Sequence, residues 1–578
     1  MNASQAVALG ERDADLVVAG GEVVLPELGE RRERSVAVVE DRVAALVEDP
    51  ERVTGPDTTV VDASGSVVVP GFVDAHTHLD AQQAFERSYH HSLAGGTTAI
   101  VSEVTGMGPA FGADGTREFL EATADLPVEV FAALCPTPLL DTFDPAWADE
   151  AELDALVDLL ERERVVGVGE TDWIHVVGRD APVEALYETA RDRGAVITGH
   201  GAGCRDEKLQ AFASVVDNDH EPVTPEGVLD RLANGIHVVG RAGTIRDDLG
   251  ALAAAYREVG AADLSLSTDG RWPRELAETG HMNWVVRRAI EEGIDPVDAV
   301  RMATLNPARH FGLGDRGSLT PGNRADVVVC SDLESVAVET VVAGGEVVVS
   351  DGEPTVDPRP HDYPDRFRDT VSLDGIEEWV RVSESAAPGG RVRAMEYTEG
   401  LLSTETTAEV PVVDGTLRPA PEDGLLKATV VERRPGSEGR SFTGFVRGLG
   451  IERGAVASSL AWEQPAVIGV GASDAALVTA LEHVDDLGGG LAVVDEGKVV
   501  ADHPLDIAGS FADLPVEETM ANLDAVQGAL RDLGASAANP VLSVATLTFF
   551  GVPTLKLTFD GYADILGRRV VGLAPEEE

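Results

Sequence analysis

The chain has 578 residues, more than a single hydrophobic core accommodates, so two or three domains are expected. Hydrophobic residues at 43% and charged residues at 25% exclude a disordered chain, and no apolar run approaches the roughly 20 residues that span a bilayer. Asp and Glu number 101 against 45 Lys and Arg, a formal net charge of −56 that disfavours nucleic-acid binding, because phosphate contacts need a basic footprint. The acidity fits either a face for a cationic partner or a halophile-like surface of hydrated carboxylates. It runs along the whole chain rather than in a block, which favours the second. Met1 to Asp15 is polar and acidic, without the pattern of a signal peptide, and Cys135, Cys204 and Cys330 are scattered. A cytoplasmic, reducing location is expected, with no membrane partner.

From about Ala14 to Val69 the chain reads as short β-strands, among them Leu16 to Val18, Val36 to Val39, Val43 to Val47 and Val67 to Val69. Val17-Val18-Ala19-Gly20-Gly21-Glu22-Val23-Val24 recurs as Val341-Val342-Ala343-Gly344-Gly345-Glu346-Val347-Val348. Two matching hairpins so far apart predict one small β-sandwich domain formed by both flanks, residues 1–69 with 314–350. Asp326 to Cys330 adds another of its strands. Between the flanks, over residues 70–313, strand-like runs alternate with helical patterns. Examples are Thr97 to Val101, Val128 to Leu134, Val165 to Val168, Ala195 to Thr198 and Leu264 to Ser267, against the helical spacing of Glu150 to Arg164. This alternation is what a (β/α)8 TIM barrel requires, although a doubly wound open sheet gives a similar pattern. Residues 351–370, with Pro354, Pro358, Pro360 and Pro364, read as a linker, and 371–578 as a C-terminal α+β domain. Gly488-Gly489-Gly490 is either a phosphate cradle or a plain turn. The strand that follows, Leu491 to Val494, favours the turn.

The strongest chemical signal is Pro70-Gly71-Phe72-Val73-Asp74-Ala75-His76-Thr77-His78. An apolar strand ends in two histidines at i and i+2, on one side of the strand. Other strand-like runs end in good ligands too: Val165 to Gly169 leads into Glu170, Ala195 to Gly199 into His200, Val215 to Asp219 into His220, and Leu264 to Thr268 into Asp269. In a barrel these ends converge on one face, where four histidines and two carboxylates could hold two divalent ions and a bridging water. The alternative is that some are ordinary polar residues capping strands.

The sequence resembles the amidohydrolase superfamily and, within it, the adenine deaminase family, over nearly the whole chain. The matching stretches include Pro70 to His78, Gly167 to Glu170, Gly199-His200, Asp219-His220-Glu221, Ser267-Thr268-Asp269 and Gly280-His281. Arg301 to Pro307 and Pro321 to Asp326 match as well, and in the C-terminal part so do Arg453 to Ser459, Leu487 to Leu491 and Leu505 to Gly509. The resemblance implies that His76, His78 and Asp269 hold one metal ion, that His200 and His220 hold the other, and that Glu170 bridges both. Many relatives bridge with a carbamylated lysine. No lysine stands between Met1 and Asp206 here, so sequence and resemblance agree on a glutamate.

The implied activity is hydrolytic deamination of adenine to hypoxanthine and ammonia, a step of purine metabolism. A metal-bridged hydroxide would attack, with Asp269 shuttling the proton to the leaving nitrogen. Manganese or iron is favoured by the resemblance, and zinc also suits such ligands. A homodimer is the family expectation. His281 is read as a substrate contact or as a plain helix N-terminal residue. Asp80, where the family has Glu, is read as a partner for a ring nitrogen, and Trp173 as an apolar wall or an ordinary core aromatic.

Two departures stand out. After Gly95 to Thr98 the family reads Asp-Pro-His-Glu where this chain has Ser102-Glu103-Val104-Thr105. After Ala457 to Ser459 it reads Ala-His-Asp-Ser-His-Asn where this chain has Ala461-Trp462-Glu463-Gln464-Pro465-Ala466. Both histidine-bearing elements are missing together, as expected if they cooperate in one local site. Two further functions therefore stay open: a binuclear hydrolase for another nitrogen heterocycle or cyclic amide, and an inactive ligand-binding paralogue.

Overall fold

Eight strands of the computed structural model, which describes residues 3–140, 142–143, 149–398, 402–437, 439–552 and 554–576, line up in a single sheet. They are β1 (Phe72–Thr77), β2 (Thr97–Glu103), β3 (Glu129–Leu134), β4 (Val165–Asp172), β5 (Val196–His200), β6 (Asn218–Asp219), β7 (His237–Arg241) and β8 (Leu264–Ser267). Each pairs in parallel with its successor. The sheet then closes on itself. Asp269, just past β8, donates its backbone N–H to the His76 carbonyl at 3.0 Å. The buried Asp74 carboxylate of β1 accepts from the Thr268 N–H at 3.0 Å and the Thr268 hydroxyl at 2.6 Å. This closure distinguishes the (β/α)8 barrel from an open doubly wound sheet. The strands are rich in Val, Ile, Leu and Ala because helices cover the outer face and side chains fill the interior. The covering helices follow the 3.6-residue period: Glu150–Leu159, for example, buries Leu156 and Leu159 and exposes Glu150, Asp154 and Asp158.

The N- and C-terminal flanks of the barrel meet in two sheets. A four-stranded sheet uses Arg42–Val47, Ser35–Val39, Leu16–Ala19 and Thr59–Asp62. A seven-stranded sheet joins Glu30–Glu33, Glu22–Leu25 and Val67–Pro70 to Val327–Cys330, Val338–Ala343, Glu346–Ser350 and Glu353–Pro354. Val18, Val36 and Val38 of the first sheet share a core with Val23, Val68, Val327 and Val342 of the second.

The repeated Val-Val-Ala-Gly-Gly-Glu-Val-Val motif is used in two different ways. Around Gly344-Gly345 it makes the expected hairpin: both glycines have φ above zero (56° and 84°), as a two-residue primed turn demands. Around Gly20-Gly21 it does not. Leu16–Ala19 pairs in the four-stranded sheet and Glu22–Leu25 in the seven-stranded one, so this copy is a corner that carries the chain between sheets. The glycines allow the positive φ in both places, but the available strand partners decide whether a hairpin forms.

Residues 351–370 lack long regular elements, but they are not a free tether. Tyr363 and Phe367 are buried in the barrel core cluster, and Tyr363 meets Phe511 edge-on at 5.6 Å. Further on, an eight-stranded sheet runs in the order Leu402–Glu409, Arg391–Thr398, Ser441–Arg447, Leu425–Glu432, Ala466–Gly471, Ala455–Ser458, Gly490–Asp495 and Lys498–Pro504. Helices Asp474–Asp486 and Val516–Asp532 pack on it. Gly488 and Gly489 have φ of 67° and 134°, and the triple glycine is a turn from helix to strand.

Gly345→Ala should lower thermal stability by more than about 1 kcal/mol, since a Cβ there meets the Glu40 carbonyl at 2.1 Å on a positive-φ backbone. Gly528→Ala, in the interior of Val516–Asp532 with open space around it, should raise stability by up to about 1 kcal/mol. Melting curves of the two variants in the same buffer read the contrast.

Candidate metal centre and active site

The C-terminal ends of the barrel strands bring six buried ligands together. One ligand atom from each of His76, His78, Glu170 and Asp269 lies within 4.8 Å of the others, and the same holds for Glu170, His200 and His220. Glu170 belongs to both groups. The His76 and His220 rings stack at 3.9 Å between centroids, so the two groups form one continuous cluster.

Backbone irregularities aim these side chains. Between β4 and β5 the register slips by one residue, with Val168 opposite Ile197 but Thr171 opposite Gly199. The extra residue is a bulge at Gly169-Glu170, a device that turns a side chain toward a site. Gly169 is required there, since a Cβ would stand 2.0 Å from the Glu103 carboxylate. A similar slip in β1, between Asp74 and Thr77, precedes His78. Asp269 has φ of 50°, a left-handed conformation that Asp tolerates better than branched residues do. That turn lets Asp269 divide its two oxygens, Oδ1 to the His76 and His78 rings (3.5 and 3.4 Å) and Oδ2 to Arg241.

Buried partners hold the ligands from behind. Glu103 accepts the Glu170 backbone N–H at 2.8 Å and the Thr198 hydroxyl at 2.9 Å, and its Oε1 lies 3.3 Å from His76 Nδ1. A carboxylate in that place fixes both the tautomer and the direction of an imidazole ligand. His78 Nδ1 shares a 2.8 Å hydrogen bond with Thr105, which leaves its Nε2 facing the cluster. Arg241, 2% exposed, donates to Asp269 at 3.0 Å, to Asp248 at 3.0 Å and to Glu221. Burial disfavours a charged Glu221 or Asp269. The Arg241 guanidinium and the neighbouring imidazoles together outweigh it, pushing Glu221 down to about 2 and Asp269 well below the usual carboxylate range.

The donor set fits divalent cations. His76 Nε2, His200 Nε2, His220 Nε2 and Glu170 Oε2 are buried without a hydrogen-bond partner. Burial opposes protonation of His76, yet Asp269, Glu103 and Glu170 raise its pKa well above the ordinary value. Histidine nitrogens and carboxylate oxygens are thus gathered at one centre without hydrogen-bond partners.

A cavity opens on this cluster. Its floor is His78, Glu170, His200, His220, Glu221, Arg241 and Asp269, and its far wall comes from the C-terminal part through Trp462, Leu542, Phe549 and Val552. The three residues expected to touch substrate are not in its wall. Trp173 turns away: it begins the helix Trp173–Gly178, its indole N–H bonds the Ala202 carbonyl at 2.9 Å, and Lys208 covers its ring. Asp80 accepts the Met107 backbone N–H at 2.8 Å and stabilises that turn. His281 Nδ1 pairs with Thr97 at 2.8 Å and Nε2 faces Asp74 at 3.5 Å, and the residue lines a separate space on the far side of His78. Sequence reading did not single out Arg241, although the run Val238-Val239-Gly240 before it carries the same apolar-then-polar signal as the other strand ends.

Against known proteins, residues 67–348 match the amidohydrolase family model and residues 401–568 match the adenine deaminase C-terminal domain model. The chain is 34% identical over 567 residues to the adenine deaminase of Desulfatibacillum aliphaticivorans, covering 97% of each. It is 36% identical over 584 residues to the adenine deaminase of Moorella thermoacetica, covering 98% of this chain and 97% of that one.

Glu103→Gln replaces one of the oxygens that hold His76, Glu170 and Thr198. Metal affinity, read by metal analysis after equilibration against graded free manganese, should fall about 10- to 100-fold while the fold survives.

Proposed function

We propose that this chain, which belongs to the adenine deaminase family of the amidohydrolases, hydrolyses adenine to hypoxanthine and ammonia. One observation carries the reading. Six buried metal-type ligands converge at the barrel mouth, in a cavity walled by the same C-terminal part that matches the adenine deaminase model. That convergence also speaks against a silent copy, because burying four imidazoles and two carboxylates without a cation costs folding energy.

His76, His78 and Asp269 would hold one divalent ion, His200 and His220 a second, with Glu170 shared between them. Manganese or iron is favoured over zinc. When bound, the ions supply Lewis acidity and a water of lowered pKa for attack at C6. The remaining work falls to the chain's own groups. Asp269, its Oδ2 held by Arg241, keeps Oδ1 at the reaction centre to accept the water's proton and return it to the departing nitrogen. Arg241 holds Asp269 and Glu221 in their anionic forms. Trp462, Leu542 and Phe549 exclude bulk water from the opposite side.

The same proposal places the enzyme in a salt-rich cytoplasm, as a homodimer acting in purine metabolism. Among the described residues no helix is long and apolar enough to cross a membrane.

Purified protein in high salt with manganese should release ammonia from adenine, and Glu170→Gln should abolish the release together with the metal stoichiometry. Release that survives Glu170→Gln would refute the assigned site. Dilution from about 1 M to about 0.01 M salt stretches the screening length from about 3 to about 30 Å, so a chain of charge −56 should lose thermal stability over that range.

A further inference from the structure

We propose that Trp462 and Phe549, two rings supplied by the C-terminal part, form the slot that selects a flat nitrogen heterocycle, an assignment that rests on the adenine reading above. Each candidate metal group carries one of these rings on one of its histidines. Trp462 meets the His78 ring edge-on at 5.0 Å and 68°, and Phe549 meets the His200 ring edge-on at 5.2 Å and 86°. Both rings line the cavity above the ligands, with Ile245, Leu542 and Val552 completing the apolar wall.

The backbone is arranged to bring the rings this close. The Trp462 N–H bonds the Ala545 carbonyl at 2.9 Å, which ties the Trp462 turn to the helix Pro540–Ala545 just before Phe549. Glu463, next to Trp462, is held at φ 56°, a conformation that costs a non-glycine residue and persists only where its surroundings impose it. Gly551 leaves the space that Phe549 and His200 share: a Cβ there would lie 2.3 Å from the Phe549 ring and 2.6 Å from His200 Nε2.

The polar side of the cavity narrows the ligand further. Arg241 and Arg246 lie in its lining; Arg246 pairs with Asp248 at 3.3 Å, and Arg241 Nη2 is buried without a hydrogen-bond partner. A guanidinium only donates, so the matching ligand must present an acceptor at its edge, such as a ring nitrogen. Thr546, the wall hydroxyl, already donates to the Leu542 carbonyl at 2.8 Å. Two aromatic rings and a guanidinium donor side point to a planar heteroaromatic ring with an exposed lone pair. Trp462 also falls where this chain departs from the family pattern, so the slot is a feature of this chain's own sequence.

The test uses metal-loaded full-length protein in high salt, comparing wild type with Trp462→Ala, Trp462→Leu, Trp462→Phe and Phe549→Leu. Metal content, steady-state ammonia release from adenine, and equilibrium dialysis of hypoxanthine and of benzimidazole are measured for each. Trp462→Ala should raise KM for adenine and weaken hypoxanthine binding by at least about fivefold at unchanged metal content, the lower bound for losing one base-stacking contact. Trp462→Phe should recover most of the loss. Trp462→Leu should not, because it keeps apolar area without a π-face. Unchanged KM and unchanged dialysis constants in a metal-replete Trp462→Ala, or in Trp462→Leu should Trp462→Ala not fold, would overturn the slot. Failure of wild type to deaminate adenine would overturn the adenine reading instead. Benzimidazole dialysis then decides the slot alone: weaker binding in the Trp462 variants upholds it, and equal binding removes it.

Discussion

Four histidines, two ligand carboxylates and several further acids are buried together at one end of the barrel, and most of the local structure can be understood as the means of tolerating them. Isolated ionised groups in such surroundings are expensive, so each must be paired, hydrogen-bonded or coordinated. Arg241 is the principal internal compensation. One guanidinium serves Glu221, Asp269 and Asp248. It neutralises the outer acids, and at the centre atoms of His76, His200, His220 and Glu170 lie buried without hydrogen-bond partners. The protein supplies positive charge around the cluster and leaves the centre for cations.

The same requirement explains where the backbone departs from regularity. A parallel strand places successive side chains alternately inside and outside, and an ideal barrel would not converge all six groups. The bulge at Gly169-Glu170, the slip in β1 and the left-handed Asp269 each redirect a ligand, and the hydrogen bond from Asp269 N–H to the His76 carbonyl sets the last strand against the first. Barrel closure and site assembly are thus one event. The bonds that join β8 to β1 run through Asp74, Thr268, Asp269 and His76, and two of these four are proposed ligands.

Much of this is legible in the sequence, for a physical reason. A barrel strand announces itself as an apolar run, and a polar group at its end breaks that run with His, Asp or Glu, so His76, His78, Glu170, His200, His220 and Asp269 can be read one by one as candidate ligands, and the fold brings them together. Groups that act sideways are harder to read. Glu103 and Arg241 end strands in the same manner, but their partners lie 67 and 28 residues away, and only the fold reveals them. Asp80, Trp173 and His281, read as substrate contacts, do not line the cavity, since proximity in sequence to a candidate ligand is not proximity to the cavity. Trp173 follows Glu170 closely, yet the start of a helix turns it away from the cavity, whereas Trp462 and Phe549 come from 384 and 349 residues beyond His78 and His200 to form the wall. The repeat at Gly20 and Gly344 teaches the same lesson: identical local chemistry makes a corner or a hairpin according to which strands lie alongside.

The two departures from the family pattern meet at a single side chain. Thr105, from the segment after β2, bonds one edge of His78, while Trp462, from the C-terminal part, packs against the same ring. Phe549 stands in the corresponding place on His200. These rings link metal binding to the seating of the C-terminal part, because whatever fixes an imidazole also fixes the surface against which its aromatic neighbour packs. By linkage the relation runs in both directions: a cation that orders His78 and His200 steadies the wall, and a ligand held against the wall steadies the histidines. The C-terminal part of the chain is therefore more than a cover. It shares its contacts with the metal ligands, and a substrate entering between the two would be recognised by both at once.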